Sequence, residues 1–295
     1  MWTGETTDKT DDTMHRRFIT AAPMLLAAAL AASSCGGAKS SENEFVRTVE
    51  LDGMKVSWLR DNAEPRLMPA ALFSAPDSLI EELGLEEGVP SSVSTFLLET
   101  GGHRILFDTG LGAPDSRLLT GLESLGYTPA DIDLIYLTHL HGDHTGGMLS
   151  DSTAIFPNAE VYISYPEYVA WAGMEDGQSS QLKALAKAYE GKIHLFEFGD
   201  TLPGGVEALD AVGHTPGHTA YRAGKLLIVG DLMHGVALQL EHNEYCANFD
   251  MDKAKAVDAR RRILALAADG NMLTAGMHFP VPGFIQFEKG SPESL

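Results

Sequence analysis

Cysteine is nearly absent from this chain, which has two in 295 residues, Cys35 and Cys246. If Cys35 is modified or removed, Cys246 is the only thiol left, so no disulfide framework holds this fold. Basic residues are also scarce, with 21 Lys and Arg against 41 Asp and Glu and a formal net charge of -20. A surface of that sign repels polyanions, so nucleic acid is not expected as a partner. The 44% hydrophobic content suffices for a proper apolar core.

A hydrophobic run long enough for a comfortable membrane span is missing too. The apolar run Ala21–Ala32 follows Arg16-Arg17 and precedes small residues that end at Cys35. This pattern is typical of a signal peptide, with Met14 as a candidate start. We therefore predict that residues 1–40 are an export leader and tether, twin-arginine-like, with Cys35 as the lipidated residue of a periplasmic or membrane-anchored lipoprotein. A buried Ala-rich helix is the alternative.

Predicted strands and helices alternate from residue 41 to residue 295. Asp52-Gly53 and Gly101-Gly102 mark two β-hairpins. Residues 61–92 are less regular and form either a flap over a site or a helical insertion. The later predicted elements are strands at Leu134–Leu137, Glu160–Ser164, Lys192–Phe196, Val206–Ala211, Thr219–Arg222, Lys225–Val229 and Leu273–Met277, and helices at Ser116–Gly126, Pro166–Met174, Gln181–Tyr189 and Met251–Ala268. No Pro/Gly-rich linker interrupts them, which favours one layered α/β domain over 41–295.

The stretch that directly follows the strand at Leu134–Leu137 is the densest in chemical groups. It contains His139, His141, Asp143 and His144 within six residues. Neutral imidazole nitrogens and carboxylate oxygens are the usual ligands of zinc and related divalent metals. Alternate side chains of an extended segment share a face, so His139 and His141 can bind one ion together. A His-rich surface loop without a metal is the alternative.

Three further candidate ligands each follow an apolar strand: His214, Asp231 and His278. The carboxyl ends of strands are where open α/β sheets place their sites. Two histidines close to these candidates in the chain, His218 and His234, are less certain to bind metal. We expect His218 to support a ligand rather than bind metal, and His234 either to donate to a substrate oxygen or to serve the fold.

Taken in order, these motifs resemble those of the metallo-β-lactamase fold superfamily over roughly residues 45–290, with Asp108 matching the aspartate of its early strand. The resemblance implies a four-layer αββα sandwich with metals at one edge of two facing sheets. It also implies two divalent ions, zinc first and manganese, iron or cobalt as alternatives. The implied ligands are His139, His141 and His214 for the first ion, Asp143, His144 and His278 for the second, and Asp231 as a bridge between both.

Departures from known branches narrow the expected chemistry. β-Lactamases usually carry cysteine, or serine without a bridging carboxylate, where this chain has Asp231. Oxygen-reducing diiron relatives replace the second histidine of the motif, here His141, with glutamate. Acyl-homoserine lactonases have tyrosine at the position of His234, and glyoxalase II relatives have a longer helical region after the last histidine. Residues 230–234 and 275–284 are most similar to exported enzymes of the methyl-parathion-hydrolase-like branch, which hydrolyse phosphotriesters, lactones or aryl esters.

We therefore expect a dinuclear metal-dependent hydrolase of small ester, lactone or phosphotriester substrates. Two ions about 3.5–4 Å apart can share a water, lower its pKa and clamp the reacting oxygens. Asp231 would hold that spacing for a bridging hydroxide, while Asp143 could orient the nucleophile. A metallo-oxidoreductase and a catalytically silent exported metal-binding protein are the alternatives.

Aromatic and apolar side chains near these motifs have two interpretations. Phe279 and Phe284, with Trp171, Met68 or Phe73, either line an apolar leaving-group pocket or belong to the core. The expected partner is a small-molecule substrate, and the sequence leaves both a monomer and a homodimer open.

Overall fold

The computed structural model describes residues 44–287, apart from the side chains of residues 176–178. The predicted export leader at 1–40, including Cys35, lies outside the described residues and stays a prediction. Within residues 44–287, no helix has both the length and the apolar character needed to cross a membrane.

The described part of the chain alternates strands with helices, as predicted. In chain order its strands are β1 (Val46–Leu51), β2 (Met54–Arg60), β3 (Arg66–Met68), β4 (Val89–Ser91), β5 (Ser94–Thr100), β6 (His103–Phe107), β7 (Leu134–Tyr136), β8 (Leu149–Ser150), β9 (Thr153–Ala154), β10 (Glu160–Ser164), β11 (Ile193–Phe196), β12 (Thr201–Leu202), β13 (Val206–Asp210), β14 (Thr219–Ala223), β15 (Leu226–Ile228), β16 (Leu273–Ala275) and β17 (Phe284–Gln286). Its α-helices are α1 (Asp77–Leu83), α2 (Leu118–Ser124), α3 (Gly142–Thr145), α4 (Tyr165–Ala172), α5 (Asp176–Ala188), α6 (Val236–Gln239) and α7 (Lys253–Gly270). Short 3-10 helices lie at Ala70–Leu72, Pro129–Asp131, Gly146–Met148 and Pro203–Gly205.

Two large sheets organise the described residues. One has the strand order β1-β2-β5-β6-β7-β10-β11, and the other runs β12-β13-β14-β15-β16-β17. Both predicted hairpins are present, since β1 pairs with β2 and β5 with β6 in antiparallel register. Strands β6, β7, β10 and β11 are parallel, as are β15 and β16. Parallel neighbours end at the same edge, and this edge collects the loops that carry the candidate ligands.

Strict alternation of side chains along the central strands produces the layers. On β6, Ile105 and Phe107 join the core between the two sheets, whereas Leu106 joins the core under α2, α4 and α5. On β15, Leu226 also enters the core between the sheets, while Leu227 packs beneath α7. These residues are all at most 1% exposed. The expected single-domain, four-layer αββα sandwich is therefore confirmed.

Aromatic side chains tie the two sheets together beside the ligand-bearing edge. The rings of Phe107 and Tyr136 from the first sheet lie 5.4 and 5.6 Å from the ring of Tyr221 on the second. The Tyr221 hydroxyl donates to the carbonyl oxygen of Leu137 at 2.6 Å. Each such ring pair contributes about 0.5–1.5 kcal/mol beyond its buried area. The contact fixes the end of β7 just before the histidine motif.

The structure differs from the sequence expectations mainly at element ends. Helix α5 begins five residues earlier than its apolar pattern indicated, and α7 includes Gly270 and ends on Asn271 in the left-handed conformation (φ 47°). Strand β17 was not predicted, because its three residues are too few to show a period. Residues 61–92 form a mixed insertion: Met68, Phe73, Ile80, Leu85 and Val89 share an apolar cluster with residues of and beyond α6.

Candidate metal centre

All seven predicted ligands lie at one edge of the two sheets. His139, His141, Asp143 and His144 follow β7, His214 follows β13, Asp231 follows β15, and His278 follows β16. The structure brings them together although they are spread over 140 residues of sequence. Among the described residues, four overlapping groups of possible ligand atoms have their members within 4.8 Å of one another, and two of these groups contain only the predicted ligands. We call His139, His141 and His214 the first ligand set, and Asp143, His144 and His278 the second ligand set.

Three ring nitrogens converge in the first ligand set. His141 Nδ1 lies 2.9 Å from His139 Nε2 and 2.9 Å from His214 Nε2. The other ring nitrogen of His214 donates to Asp250 Oδ1 at 3.0 Å, which leaves a lone pair on its Nε2. His139 Nδ1 lies 3.0 Å from Thr138 Oγ1.

The tautomer of His139 follows from its neighbours. Thr138 Oγ1 donates its single hydrogen to Asp108 Oδ2 at 2.7 Å, so it can only accept from His139 Nδ1. His139 Nε2 therefore also presents a lone pair. His141 Nδ1 could satisfy at most one of its two neighbours as a donor. A cation is the group that satisfies all three nitrogens at once, and three imidazoles are a common zinc ligand set.

The second ligand set also turns the free ring nitrogens of two histidines toward the centre. His144 Nδ1 donates to Asp108 Oδ2 at 2.7 Å, and His278 Nδ1 donates to the carbonyl oxygen of Ser92 at 2.8 Å. The Nε2 atoms of both rings face Asp231, His144 Nε2 at 3.1 Å from Oδ1 and His278 Nε2 at 3.1 Å from Oδ2. Asp143 Oδ2 lies 3.5 Å from His278 Nε2.

Asp231 occupies the position between the two ligand sets. Its Oδ2 lies 3.3 Å from His214 Nε2 and 3.8 Å from His139 Nε2 as well as near His278, while its Oδ1 faces His144. Its backbone N–H donates to His218 Nε2 at 3.0 Å, and His218 Nδ1 donates to the carbonyl oxygen of Ala211. His218 therefore holds the backbone of Asp231, which is the supporting role expected for it.

The electrostatic environment favours neutral rings in the first set and anionic carboxylates. Burial lowers the pKa of His139 well below its ordinary value and that of His214 to about 4. Burial alone would raise the pKa of Asp231, but the imidazoles around it, His144 foremost, hold it well below its usual range. Burial also opposes charge on His144, yet Asp231 and Asp108 outweigh it and raise its pKa. A site that strongly stabilises positive charge beside neutral donors suits a cation.

Two buried polar atoms test whether a metal fits these residues. Among the described residues, neither His144 Nε2 nor Asp231 Oδ1 has a hydrogen-bond partner, although both have almost no solvent exposure. With a neutral His144 ring that donates from Nδ1, both atoms are acceptors and cannot satisfy each other, so either a second proton on the ring or a cation is needed between them. Buried groups of this kind are normally paired or metal-bound. The residues present therefore fit divalent ions in both sets, with Asp231 shared.

His234 lies beside the centre, as its position three residues after Asp231 indicated. Its Nε2 is 3.2 Å from Asp231 Oδ2, and its ring stacks on that of His278 with centroids 5.2 Å apart. The ring of Phe249, which is 43% exposed, lies 5.7 Å from the ring of His234. His234 thus joins the ligand cluster to a solvent-facing aromatic side chain.

The aromatic residues singled out by sequence divide between site and core. Trp171 packs edge-on against His141, with ring centroids 5.5 Å apart. Phe279, Phe284, Met68 and Phe73 belong instead to the apolar clusters of the core and of the insertion, as the alternative interpretation expected.

Sequence reasoning missed two buried carboxylates that support the centre. Asp250 accepts from His214, and Glu167 accepts from two of the ligand-bearing loops. Asp250 stands in an irregular segment without a motif. Glu167 has a local signal, because Ser164 precedes it by three residues as in a helix capping box, but that pattern indicates a helix start rather than a site.

The comparisons with known proteins agree with this geometry. The family model of the metallo-beta-lactamase superfamily matches residues 88–270. The chain is 30% identical over 198 residues to the lactamase-like protein aptB of Emericella nidulans. The aligned region covers 63% of this chain and 55% of that protein. The chain thus spans about half the length of the curated relatives it matches.

Two solved structures show the same fold. Hydrolase AbOPH of the beta lactamase superfamily superposes with a TM-score of 0.74 at 27% identity, covering 85% of this chain and 96% of that one. The dizinc quorum-quenching lactonase AidC, in complex with a product, superposes with a TM-score of 0.76 at 24% identity, covering 84% and 95%.

Proposed function

Because this chain belongs to the metallo-beta-lactamase superfamily, we propose that it is a metal-dependent hydrolase of small ester, lactone or phosphotriester substrates. The observation that carries the proposal is the convergence of both ligand sets on Asp231, whose carboxylate lies within 3.1–3.3 Å of nitrogens from His144, His214 and His278. A purely structural role does not explain this arrangement, because it places hydrogen-bond acceptors, the imidazole nitrogens and the Asp231 carboxylate, next to one another in the interior.

The ligand sets define what each residue does. The first ligand set would hold one ion and the second another, with Asp231 binding both, and zinc is the metal we propose first. When bound, two divalent ions lower the pKa of a shared water and polarise a carbonyl or phosphoryl oxygen. The chain itself fixes the directions of the rings, because Asp108 and Asp250 each accept from the nitrogen that faces away from the centre.

Three side chains are placed to act on substrate. Asp143 is 28% exposed while its Oδ2 lies 3.5 Å from His278 Nε2, so its carboxylate can orient a nucleophilic water beside the centre. His234 has one ring nitrogen beside Asp231, from which it can donate to a substrate oxygen. Phe249 lies next to His234 and stays exposed, which offers an apolar surface to an acyl or aryl group.

The relatives support a hydrolytic reaction, since they include a hydrolase, a thioesterase and an exodeoxyribonuclease. One structural neighbour is described as a hydrolase and another as a dizinc lactonase. Asp231 disfavours β-lactams for the reason given by sequence, and the net charge of -20 disfavours nucleic acid. Lactones and activated esters are therefore the first substrates to examine.

A metal-defined assay tests the proposal. The chain from residue 36 onward, loaded with zinc, manganese, iron or cobalt, is assayed on aryl esters, lactones, phosphotriesters, thioesters and β-lactams. We expect turnover of an ester, lactone or phosphotriester. Asp231→Ala should lower it by more than the roughly 10–100-fold that loss of an outer-shell partner costs.

Asp258→Ala is the matched control, because Asp258 is an exposed aspartate on α7 that pairs with Arg262. Its turnover should equal that of the wild type. If Asp231→Ala still hydrolyses every substrate that the wild type hydrolyses, the reaction does not occur at this centre. Oxygen consumption by an iron-loaded protein without hydrolysis would favour the oxidoreductase alternative.

A further inference from the structure

Glu167 is a buried carboxylate that belongs to neither ligand set. It lies in the first turn of α4 and is 0% exposed. Its N–H donates to Ser164 Oγ at 3.3 Å, as in a capping box. In a capping box the glutamate side chain reaches back to the helix N-terminus, but this carboxylate accepts hydrogen bonds from loops of the metal centre instead. Its side chain therefore serves something other than the helix.

Four donors surround the Glu167 carboxylate. The N–H of Leu140 donates to Oε1 at 3.0 Å, and the indole N–H of Trp171 donates to the same oxygen at 2.6 Å. The hydroxyl of Thr215 and the N–H of Gly217 donate to Oε2 at 2.7 and 2.8 Å. Two hydrogen bonds to each oxygen match the acceptor capacity of an ionised carboxylate. Replacing either oxygen by a donor leaves at least one of these groups without a partner.

The donors adjoin the ligands of the first set. Leu140 stands between His139 and His141 in the chain, so its N–H anchors the backbone from which both rings project. Thr215 directly follows the third ligand of that set. Trp171 packs edge-on against the ring of His141, and its indole is held by the same carboxylate. One side chain thus connects the loop after β7 with the loop after β13.

The second ligand set is supported by other groups. Asp108 accepts from the ring of His144, and the carbonyl oxygen of Ser92 accepts from the ring of His278. None of the four hydrogen bonds to Glu167 comes from a residue that adjoins these two histidines. Asp108 serves both sets, His144 directly and His139 through Thr138, whereas the contacts of Glu167 lie beside the first set alone.

We propose that Glu167 is a positioning residue that sets the geometry of the first ligand set by joining its two loops. The inference rests on the proposed function, since it takes the first set to bind a metal ion. Loss of the Glu167 charge should loosen both loops and weaken binding of one ion about 10–100-fold, as for other outer-shell partners. The ion of the second set should be retained.

The test compares metal binding by full-length wild type and Glu167→Gln. Zinc affinities are measured by competition with a chromophoric chelator, stoichiometry by elemental analysis, and coordination by the visible absorption of the cobalt-substituted protein. We expect wild type to retain two ions where Glu167→Gln retains one. The cobalt spectrum of Glu167→Gln should match that of His214→Ala, which lacks a ligand of the first set, and not that of His278→Ala.

Asp61→Asn is the matched control for loss of a buried carboxylate. Asp61 is also 0% exposed and accepts four hydrogen bonds. The donors are Leu111, Ser116 and Arg117 in the segment before α2, and Leu118, the first residue of that helix. It should lower the thermal midpoint without changing either zinc affinity. Trp171→Phe removes one donor to Glu167 without stranding a charge, so it should weaken the same ion by a smaller factor even if Glu167→Gln does not fold.

The outcomes separate this inference from the proposed function. Two ions bound with wild-type affinity by Glu167→Gln or Trp171→Phe would overturn the positioning role, whatever the wild type hydrolyses. Equal weakening by Glu167→Gln and Asp61→Asn would overturn it as well, because the effect would then be general. A wild type that binds two ions and hydrolyses no substrate would overturn the proposed function, while the zinc affinity of Glu167→Gln still decides the role of Glu167.

Discussion

The buried pair of Asp250 and Arg260 allows stability and metal binding to be separated in one position. Asp250 Oδ1 accepts from His214 Nδ1 at 3.0 Å, and its Oδ2 lies 3.6 Å from Arg260 Nη2. Arg260 is 0% exposed and also donates to the carbonyl oxygens of Leu232 and Tyr245. Burial opposes the charge of Asp250, but the hydrogen bond from His214 and the nearby cations hold its pKa below the usual value. We therefore compare Asp250→Asn with Asp250→Ala.

Both substitutions leave the Arg260 guanidinium buried without its counter-charge. Removing one partner of a buried ion pair costs about 3–5 kcal/mol. At roughly 2–4 °C per kcal/mol for a domain of this size, the thermal midpoint should fall by about 6–20 °C in both variants. Only Asp250→Ala also removes the acceptor that orients His214. It should weaken zinc binding about 10–100-fold, whereas the amide oxygen of Asp250→Asn keeps the loss below about 10-fold.

The assay combines thermal unfolding at one fixed free zinc concentration with zinc affinity by chelator competition. Tenfold weaker binding alone lowers the apparent stability by about 1.4 kcal/mol, so Asp250→Asn reports the charge most cleanly. A loss below about 1 kcal/mol in Asp250→Asn would refute the ion-pair reasoning, given the cost expected for a stranded buried charge. Equal zinc affinities of the two variants would refute the role given to the hydrogen bond with His214.

Two further substitutions follow from close contacts at the centre. Gly147→Ala places a Cβ 2.1 Å from the backbone oxygen of Thr109, so we expect a loss of about 1–3 kcal/mol or more in urea unfolding; an unchanged midpoint would contradict the tight packing. His218→Ala removes the acceptor for the Asp231 N–H, which should weaken zinc binding about 10–100-fold in the chelator assay; wild-type affinity would show that Asp231 is held by other contacts.

The sequence predicted the layers and the ligands because both depend on local patterns. Apolar alternation on strands such as β6 dictates which side chains enter each core, and the spacing of His139 and His141 places both rings on one side of the loop after β7. The predicted ligands lie together as expected, since their strands end at the same sheet edge. Element ends were less accurate, as at α5, because helix starts depend on caps and on packing.

The residues that support the ligands could not be predicted in the same way. Glu167 is 27 residues from Leu140 and 48 from Thr215 in the chain, and Asp250 is 36 residues from His214. No periodic pattern links positions so far apart, and each carries out its role through hydrogen bonds whose partners only the fold brings near. The aromatic side chains show the same limit. The sequence left Phe279 open between a substrate pocket and the core, and the structure buries it in the core, while Phe249 stays exposed beside His234.

The sequence by itself determined a layered α/β domain with seven candidate metal ligands after its strands, and the resemblance of its motifs implied the sandwich. The first part of that information is local, since it consists of side-chain alternation and the chemistry of imidazole and carboxylate groups. Only the tertiary structure decided which ring nitrogen faces the centre, and that Glu167 joins the loops of the first ligand set. Those features arise where separate loops meet, and the distances between them are set by the packing of the two sheets.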